Sequence, residues 1–131
     1  MAILITIAAT VSAAVHVLFF YWESVVWKRP TTWRRFGVTT QEHADASAAF
    51  AYNQGFYNLF LAIGALLGSI LFGVGFRDAG FALGLFSVVS MLAAAVVLMT
   101  SGRGRVPAAL IQGTAPLITV VLYLVSLTTG V

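Results

Sequence analysis

The chain has 131 residues, of which 60% are hydrophobic and 8% charged, with seven Lys/Arg against four Asp/Glu and a net charge of +3. A soluble domain is about one-quarter charged and at most half apolar, and at this size it has too little interior to hide the excess, so a water-soluble enzyme and a disordered chain are both excluded. The absence of cysteine removes disulfides, thiolate metal sites, iron–sulfur clusters and thiol nucleophiles, and two histidines with four acids supply too few ligands for a rich metal site.

Four runs are long enough to cross a hydrocarbon core about 30 Å thick, which needs roughly 20 apolar residues per helix. They extend from about Ile3 to Trp27, Ala46 to Phe72, Ala79 to Thr100 and Pro107 to Thr128. The expected fold is therefore all-α: an integral membrane four-helix bundle forming one transmembrane domain over residues 1–131. The first run has no basic segment before it and is too long for a signal peptide, so it is expected to be a retained span. Thr39-Thr40-Gln41-Glu42 has capping-box spacing and predicts that the second helix begins near Thr40, ahead of its apolar part. Gly73 and Gly75, then Gly102 and Gly104, mark the two short turns, and Pro107 suits a first helical position. The first and third connections hold Lys28, Arg29, Arg34, Arg35, Arg103 and Arg105, while the second holds Arg77. The positive-inside rule then predicts a multi-pass protein of the cytoplasmic (inner) membrane, with both termini on the non-cytoplasmic side. This spread of charge over loops fits membrane topology and argues against a nucleic-acid partner. Trp22, Trp27 and Trp33 are expected to form an interfacial aromatic belt.

Three spans each carry a polar face. At ~100° per residue, Ser12, His16, Glu23 and Trp27 fall within ~60° on the first span. Glu42, His43, Asn53, Gln54, Tyr57 and Asn58 spread over ~160° on the second. Gln112, Pro116, Thr119, Tyr123 and Ser126 fall within ~80° on the fourth. The third span instead has a stripe of small residues, Gly80, Gly84, Ser87 and Ala94 or Ala95, with the spacing also seen in Gly64 and Gly68, suited to close helix contact either within one protomer or between two. Since lipid offers no hydrogen bonds, the polar faces should turn toward one another and enclose a chamber. Polar side chains between membrane helices also serve simply to join them, a sufficient reading for Thr119 and Ser126.

For His16 with Glu23, an imidazole and an acid on one helix face within the membrane, the chemistry points to acid–base work. The two are seven residues apart, a rise of ~10.5 Å, so they would act at different atoms of a bound molecule. Asn53, Gln54, Tyr57 and Gln112 can orient a substrate oxygen or water. Phe19, Phe20, Trp22, Tyr52, Phe56 and Phe60 supply aromatic faces, some of which could shield a cation. Glu23, His16, Asn53 and Tyr57 are the candidate catalytic residues. Trp27, Phe20, His43, Gln54, Asn58, Gln112 and Tyr123 are the candidate substrate-binding residues.

His16, Tyr21-Trp22-Glu23, Trp27 before a basic loop with Trp33 and Phe36, and Asn53-Gln54-Gly55-Phe56-Tyr57-Asn58 resemble a small four-span bacterial membrane family of uncharacterised proteins, over almost the whole chain. Some members of similar size and hydropathy sit in indolosesquiterpenoid (xiamycin-type) pathways and resemble membrane-embedded terpene cyclases, which protonate a terminal epoxide and then close rings. The resemblance implies a cofactor-free enzyme with Glu23 as proton donor, His16 or Asn53 aligning it, and Tyr57 or His43 taking the final proton. Its partners would be a lipophilic small molecule and membrane lipid, with a homo-oligomer compatible. A small proton-coupled transporter and an accessory subunit of a membrane complex are the competing readings of the same polar faces.

Overall fold

The computed structural model describes residues 1–130, and among them the chain is helical without strands. Helix α1 (Ala2–Phe20) runs into one π-helical turn (Tyr21–Val25). A short α2 (Pro30–Trp33) and a 3-10 turn (Arg34–Phe36) follow, then α3 (Gln41–Gly73), α4 (Arg77–Thr100), a second 3-10 turn (Arg103–Arg105) and α5 (Val106–Thr129). Four stretches, Ala2–Val25, Gln41–Gly73, Arg77–Thr100 and Arg103–Thr129, are long and apolar enough to span a membrane. They answer to the four expected spans with shifted boundaries, the fourth starting at Arg103 rather than Pro107 and the third at Arg77 rather than Ala79. The first stops at Val25 rather than Trp27. The second starts at Gln41, where the Thr40 hydroxyl accepts a bond from the His43 amide at 3.2 Å, so Thr40 is the cap and Glu42 takes no part in a capping box.

Helix α1 packs on α3 and α5, and α4 packs on the same two, so the helices form a ring whose diagonal members touch little. With tight turns between α3, α4 and α5, this is an up-and-down bundle. At 1.5 Å per residue, the 33 residues of α3 reach about 50 Å, against about 36 Å for the 24 residues of α4 or α5. Because Gly73 and Arg77 are joined by a short turn, the excess lies at the other end, beside the loops that carry Lys28, Arg29, Arg34, Arg35, Arg103 and Arg105. This is the basic end of the bundle.

Small residues decide which faces meet. The buried positions of α3 are Ala44, Ala51, Gly55, Asn58, Ala62, Ala65, Gly68, Ser69 and Phe72, a stripe in steps of three and four. A Cβ placed on Gly68 would collide with the Gly84 backbone, and one on Gly80 with the Phe72 backbone. The glycine faces of α3 and α4 therefore lie against each other inside the protomer. Helices can approach this closely only where no side chain intervenes, and packing then replaces the hydrophobic drive that lipid does not supply.

The interior has two apolar ends. Away from the basic end, Ile5, Ala62, Ala65, Phe72, Val88, Met91 and Tyr123 form one core. At the basic end, Phe19, Trp27, Trp33, Phe36, Ala44, Ala51 and Ala108 form the other. The expected aromatic belt is thus corrected: Trp27 and Trp33 are buried, and Trp22 is half-buried. After the π-helical turn the chain folds back under the bundle. The Trp27 indole N–H donates to the Ala44 carbonyl at 2.8 Å, and Phe36 stands edge-on to Phe19 at 5.7 Å. The loop is an aromatic floor rather than a girdle. It is closed by contact between Gly37, at φ +74°, and Gly104 of the other basic loop.

Gly68→Ala should separate α3 from α4 and destabilise the protein by about 1–3 kcal/mol, the usual cost of overpacking. Gly73→Ala, where an added Cβ meets nothing within 4 Å, should be neutral. Thermal unfolding in detergent, followed by tryptophan fluorescence, distinguishes the two; equal midpoints would refute the close contact.

Candidate functional site

Between the two apolar ends lies a band of buried polar side chains. The Ser12 and Thr119 hydroxyls are 3.0 Å apart across α1 and α5. One turn along α1, fully buried His16 holds its Nδ1 2.9 Å from the Ser12 carbonyl oxygen. A carbonyl only accepts, so Nδ1 carries a proton there. Nε2 has no partner among the described residues.

Nearer the basic end, Asn58 joins three helices. Its Nδ2–H donates to Glu23 Oε2 at 2.6 Å, and its Oδ1 accepts from Gln112 Nε2 at 3.1 Å. All three side chains are buried. The bridge fixes the Asn58 amide orientation, because one end must donate to a carboxyl oxygen and the other must accept from an amide. It also links α3 to α5 across the diagonal of the ring, where those helices scarcely touch.

Glu23 sits in the middle of the π-helical turn Tyr21–Val25. The extra residue in such a turn re-aims side chains, and π-bulges recur at functional sites. Two contacts hold this one. The Ser24 hydroxyl donates to the Tyr52 carbonyl at 2.7 Å, and Gly55 leaves room for Ser24, whose side chain a Cβ would strike. The turn presses on α3 with Asn58 one turn above. Glu23 Oε1 accepts no hydrogen bond among the described residues.

Glu23 forms part of the inner wall of a cleft of about 270 Å³, with Trp27, Phe36, Val38, Gln54, Leu98 and Arg105 around it and exposed Phe50 at its rim. A second cleft of about 340 Å³ lies against Glu23, Ser24, Trp27, Lys28 and Tyr52. Trp27 and Glu23 are common to both. A carboxyl oxygen, an amide and a guanidinium thus face a space otherwise lined by aromatic and aliphatic groups, an arrangement suited to binding a lipophilic molecule and moving a proton on it.

Of the expected site residues, the structure brings Glu23, Asn58 and Gln112 into direct contact and places Trp27 and Gln54 on the cleft wall. The other placements need correction. Asn53, Tyr57 and His43 are exposed on α3 and line neither cleft that borders Glu23. The polar arc of ~160° was too wide for one interface; the small-residue stripe of α3 turns inward, and of the arc's six members it includes Asn58 alone. Half-buried Phe20 stacks edge-on with Phe56 at 5.1 Å in an aromatic row away from the cleft. Tyr123 belongs to the far core, flanked by Phe72 and Phe81, with its hydroxyl against Gly84 and no hydrogen-bond partner among the described residues. His16 is buried between Ser12 and Phe19 and makes no hydrogen bond to Glu23. The enclosed chamber expected within the bundle is replaced by open clefts at the basic end, because buried His16, Ser12 and Thr119 fill the centre between the two apolar cores. Sequence reasoning missed Arg105 and Phe36 as cleft residues. The signal was thin, since both belong to connecting segments that only the fold sets under the bundle.

Among the described residues no three His, Asp or Glu side chains gather as a metal site. A family model described as a protein of unknown function (DUF1304) matches residues 10–124. No curated protein and no solved structure matches the chain.

Asn58→Ala would leave Glu23 without its donor and Gln112 without its acceptor, at about 1–3 kcal/mol for each unmet buried group. Exposed Asn53→Ala should change stability by no more than about 0.5 kcal/mol. Denaturation midpoints of the two variants in the same detergent should differ clearly; matching midpoints would mean the bridge carries no weight.

Proposed function

The chain belongs to the DUF1304 family, proteins of unknown function, and we propose from its site that it is a membrane-embedded acid–base enzyme acting on a lipophilic small molecule. The observation that carries this is Glu23: a carboxyl group within an apolar span, held by one carboxamide and facing a mostly apolar cleft. Intramembrane acids are costly and are kept for proton relays and ligand sites. With Oε2 accepting from Asn58, the acid form carries its proton on Oε1, the oxygen that accepts no hydrogen bond among the described residues. Asn58 and Gln112 are then positioning residues, and Trp27, Phe36 and Leu98 supply apolar walls. In its native setting the basic end faces the cytoplasm and both termini lie outside the inner membrane, as the charge asymmetry of the loops supports.

The finer reading is epoxide opening followed by ring closure on a prenylated, indole-bearing substrate. Glu23 gives its proton to the epoxide oxygen and the C–O bond breaks. An alkene π bond attacks the carbon left electron-poor. Loss of a proton from the ring system to the Glu23 carboxylate completes an isomerisation and restores the acid. Aromatic faces on the wall, Trp27 and Phe36, suit a transient cation. Because Tyr57 and His43 stand off the cleft, Glu23 itself is the better acceptor of the final proton.

Glu23→Gln keeps an oxygen for Asn58 and should fold normally, but should lose turnover on the order of 10²–10⁴-fold, the range for a positioned general acid. The assay is conversion of terminal epoxides of prenylated indoles, in membranes containing the protein, to isomers of unchanged mass. Full activity in the Gln variant would refute the role of Glu23. Substrate flux through sealed proteoliposomes without chemical change would replace the enzyme reading with transport.

A further inference from the structure

We propose that the cleft takes an amphiphile with an anionic head group, so that a prenylated-indole substrate would carry a carboxylate or phosphate at its head, and that Arg105 determines this preference. The inference deepens the reading of the same cleft as the site of acid–base chemistry and rests on it for the role of Glu23.

Arg105 is half-buried and held from behind. Its Nε–H donates to the Phe36 carbonyl at 3.0 Å, and its Nη1 donates to the Ser101 hydroxyl at 2.8 Å. Nη2 makes no hydrogen bond among the described residues. Neither of its partners is an acid. Glu23 is occupied by Asn58 instead, so the carboxyl and the guanidinium share one cleft without pairing. The basic end has other cations, but none of them lines this cleft, and Arg29 and Arg103 line neither of the two clefts beside Glu23. Arg34 lies over Trp33 at 5.1 Å and Arg35 over Trp22 at 4.8 Å, and Lys28 stands on the second cleft, which Arg105 does not reach.

A fixed guanidinium against aromatic and aliphatic walls calls for an anion in the ligand. Its planar fork fits carboxylate and phosphate oxygens, and a neutral occupant would cover Nη2 with nothing to accept from it. The walls require the rest of the ligand to be apolar. At about 270 Å³ the cleft is smaller than most small-molecule sites, so it seats the head and the first part of the chain. Phe50, 78% exposed at the rim, marks the way for the remainder into lipid. With the head at Arg105, the body of the ligand runs toward Gln54 and Glu23, where the reacting bond would lie.

Trp27 on the wall makes bromine quenching of tryptophan fluorescence a local readout. Purified protein in a neutral detergent is titrated with 9,10-dibromostearate, the corresponding dibromo alcohol, phosphatidic acid and phosphatidylcholine with brominated chains, and inorganic phosphate as competitor. The ionised acid should quench at concentrations at least about tenfold lower than the alcohol, as expected for one charge-assisted hydrogen-bond pair. Trp27→Phe should remove most of the quenching. Arg105→Gln should close the gap between acid and alcohol, Arg105→Lys should keep part of it, and Lys28→Gln should leave it unchanged. Equal quenching by acid and alcohol in the native protein overturns the proposal whether or not Arg105→Gln folds, as does a gap that follows Lys28 or survives the loss of Arg105. Stronger quenching by phosphatidic acid than by dibromostearate identifies a membrane phospholipid as the source of the anion. The reverse order identifies a single-chain acid, and displacement by inorganic phosphate alone shows that a free anion suffices at Arg105. Glu23→Gln should retain the charge preference. A Gln variant that keeps both the preference and full turnover refutes the acid while the anion site stands; a native protein blind to charge refutes the anion site while the acid stands.

Discussion

One carboxamide holds the centre of this molecule together. Asn58 gives a hydrogen to Glu23 in the π-helical turn that continues α1 and takes one from Gln112 on α5, and by doing so it joins three buried polar side chains from three spans. In hydrocarbon the alternative to such a bond is an unmet donor or acceptor, so the contact fixes the axial register of α1, α3 and α5 together. The π-helical turn, the seat of Ser24 against Gly55 and the approach of Glu23 to the cleft all depend on that register. A leucine at position 58 would fill the space but leave the acid without a donor.

Side-chain volume does the complementary work. The same helix that presents Asn58 presents Ala51, Gly55, Ala62, Ala65 and Gly68 along one stripe, and it is this stripe that the neighbouring helices meet. Polar groups outside it, Asn53 and Tyr57 among them, are left on the exposed surface even though they are close in sequence. Packing therefore selected the single member of a polar cluster that can enter a tight interface, and polarity alone could not have identified it.

This explains which parts of the structure were legible in the sequence. Four spans, the small-residue seam of α4 and the inward turn of Glu23, His16 and Gln112 followed from hydropathy and periodicity, because each is a local property of one helix. The choice among Asn53, Gln54, Tyr57 and Asn58 depended on the volume of residues three and four positions away, which a polar arc ignores. The floor made by Trp27, Trp33 and Phe36 depended on a chain reversal after Val25, where helical periodicity ends and gives no guidance. Arg105 reads as a topology signal by charge count, and only the contact between the Gly37 and Gly104 loops brings it under the bundle.

Phe50 has a kinetic consequence. If the cleft takes an amphiphile as proposed, a rim formed by an exposed aromatic side chain on a spanning helix means that the ligand enters sideways, by diffusing in two dimensions, and a tail need never be pulled into water. The relevant concentration of such a ligand is then its mole fraction among the surrounding lipids, so diluting the bilayer with inert lipid would slow encounter even when the amount of ligand per volume of suspension stays the same.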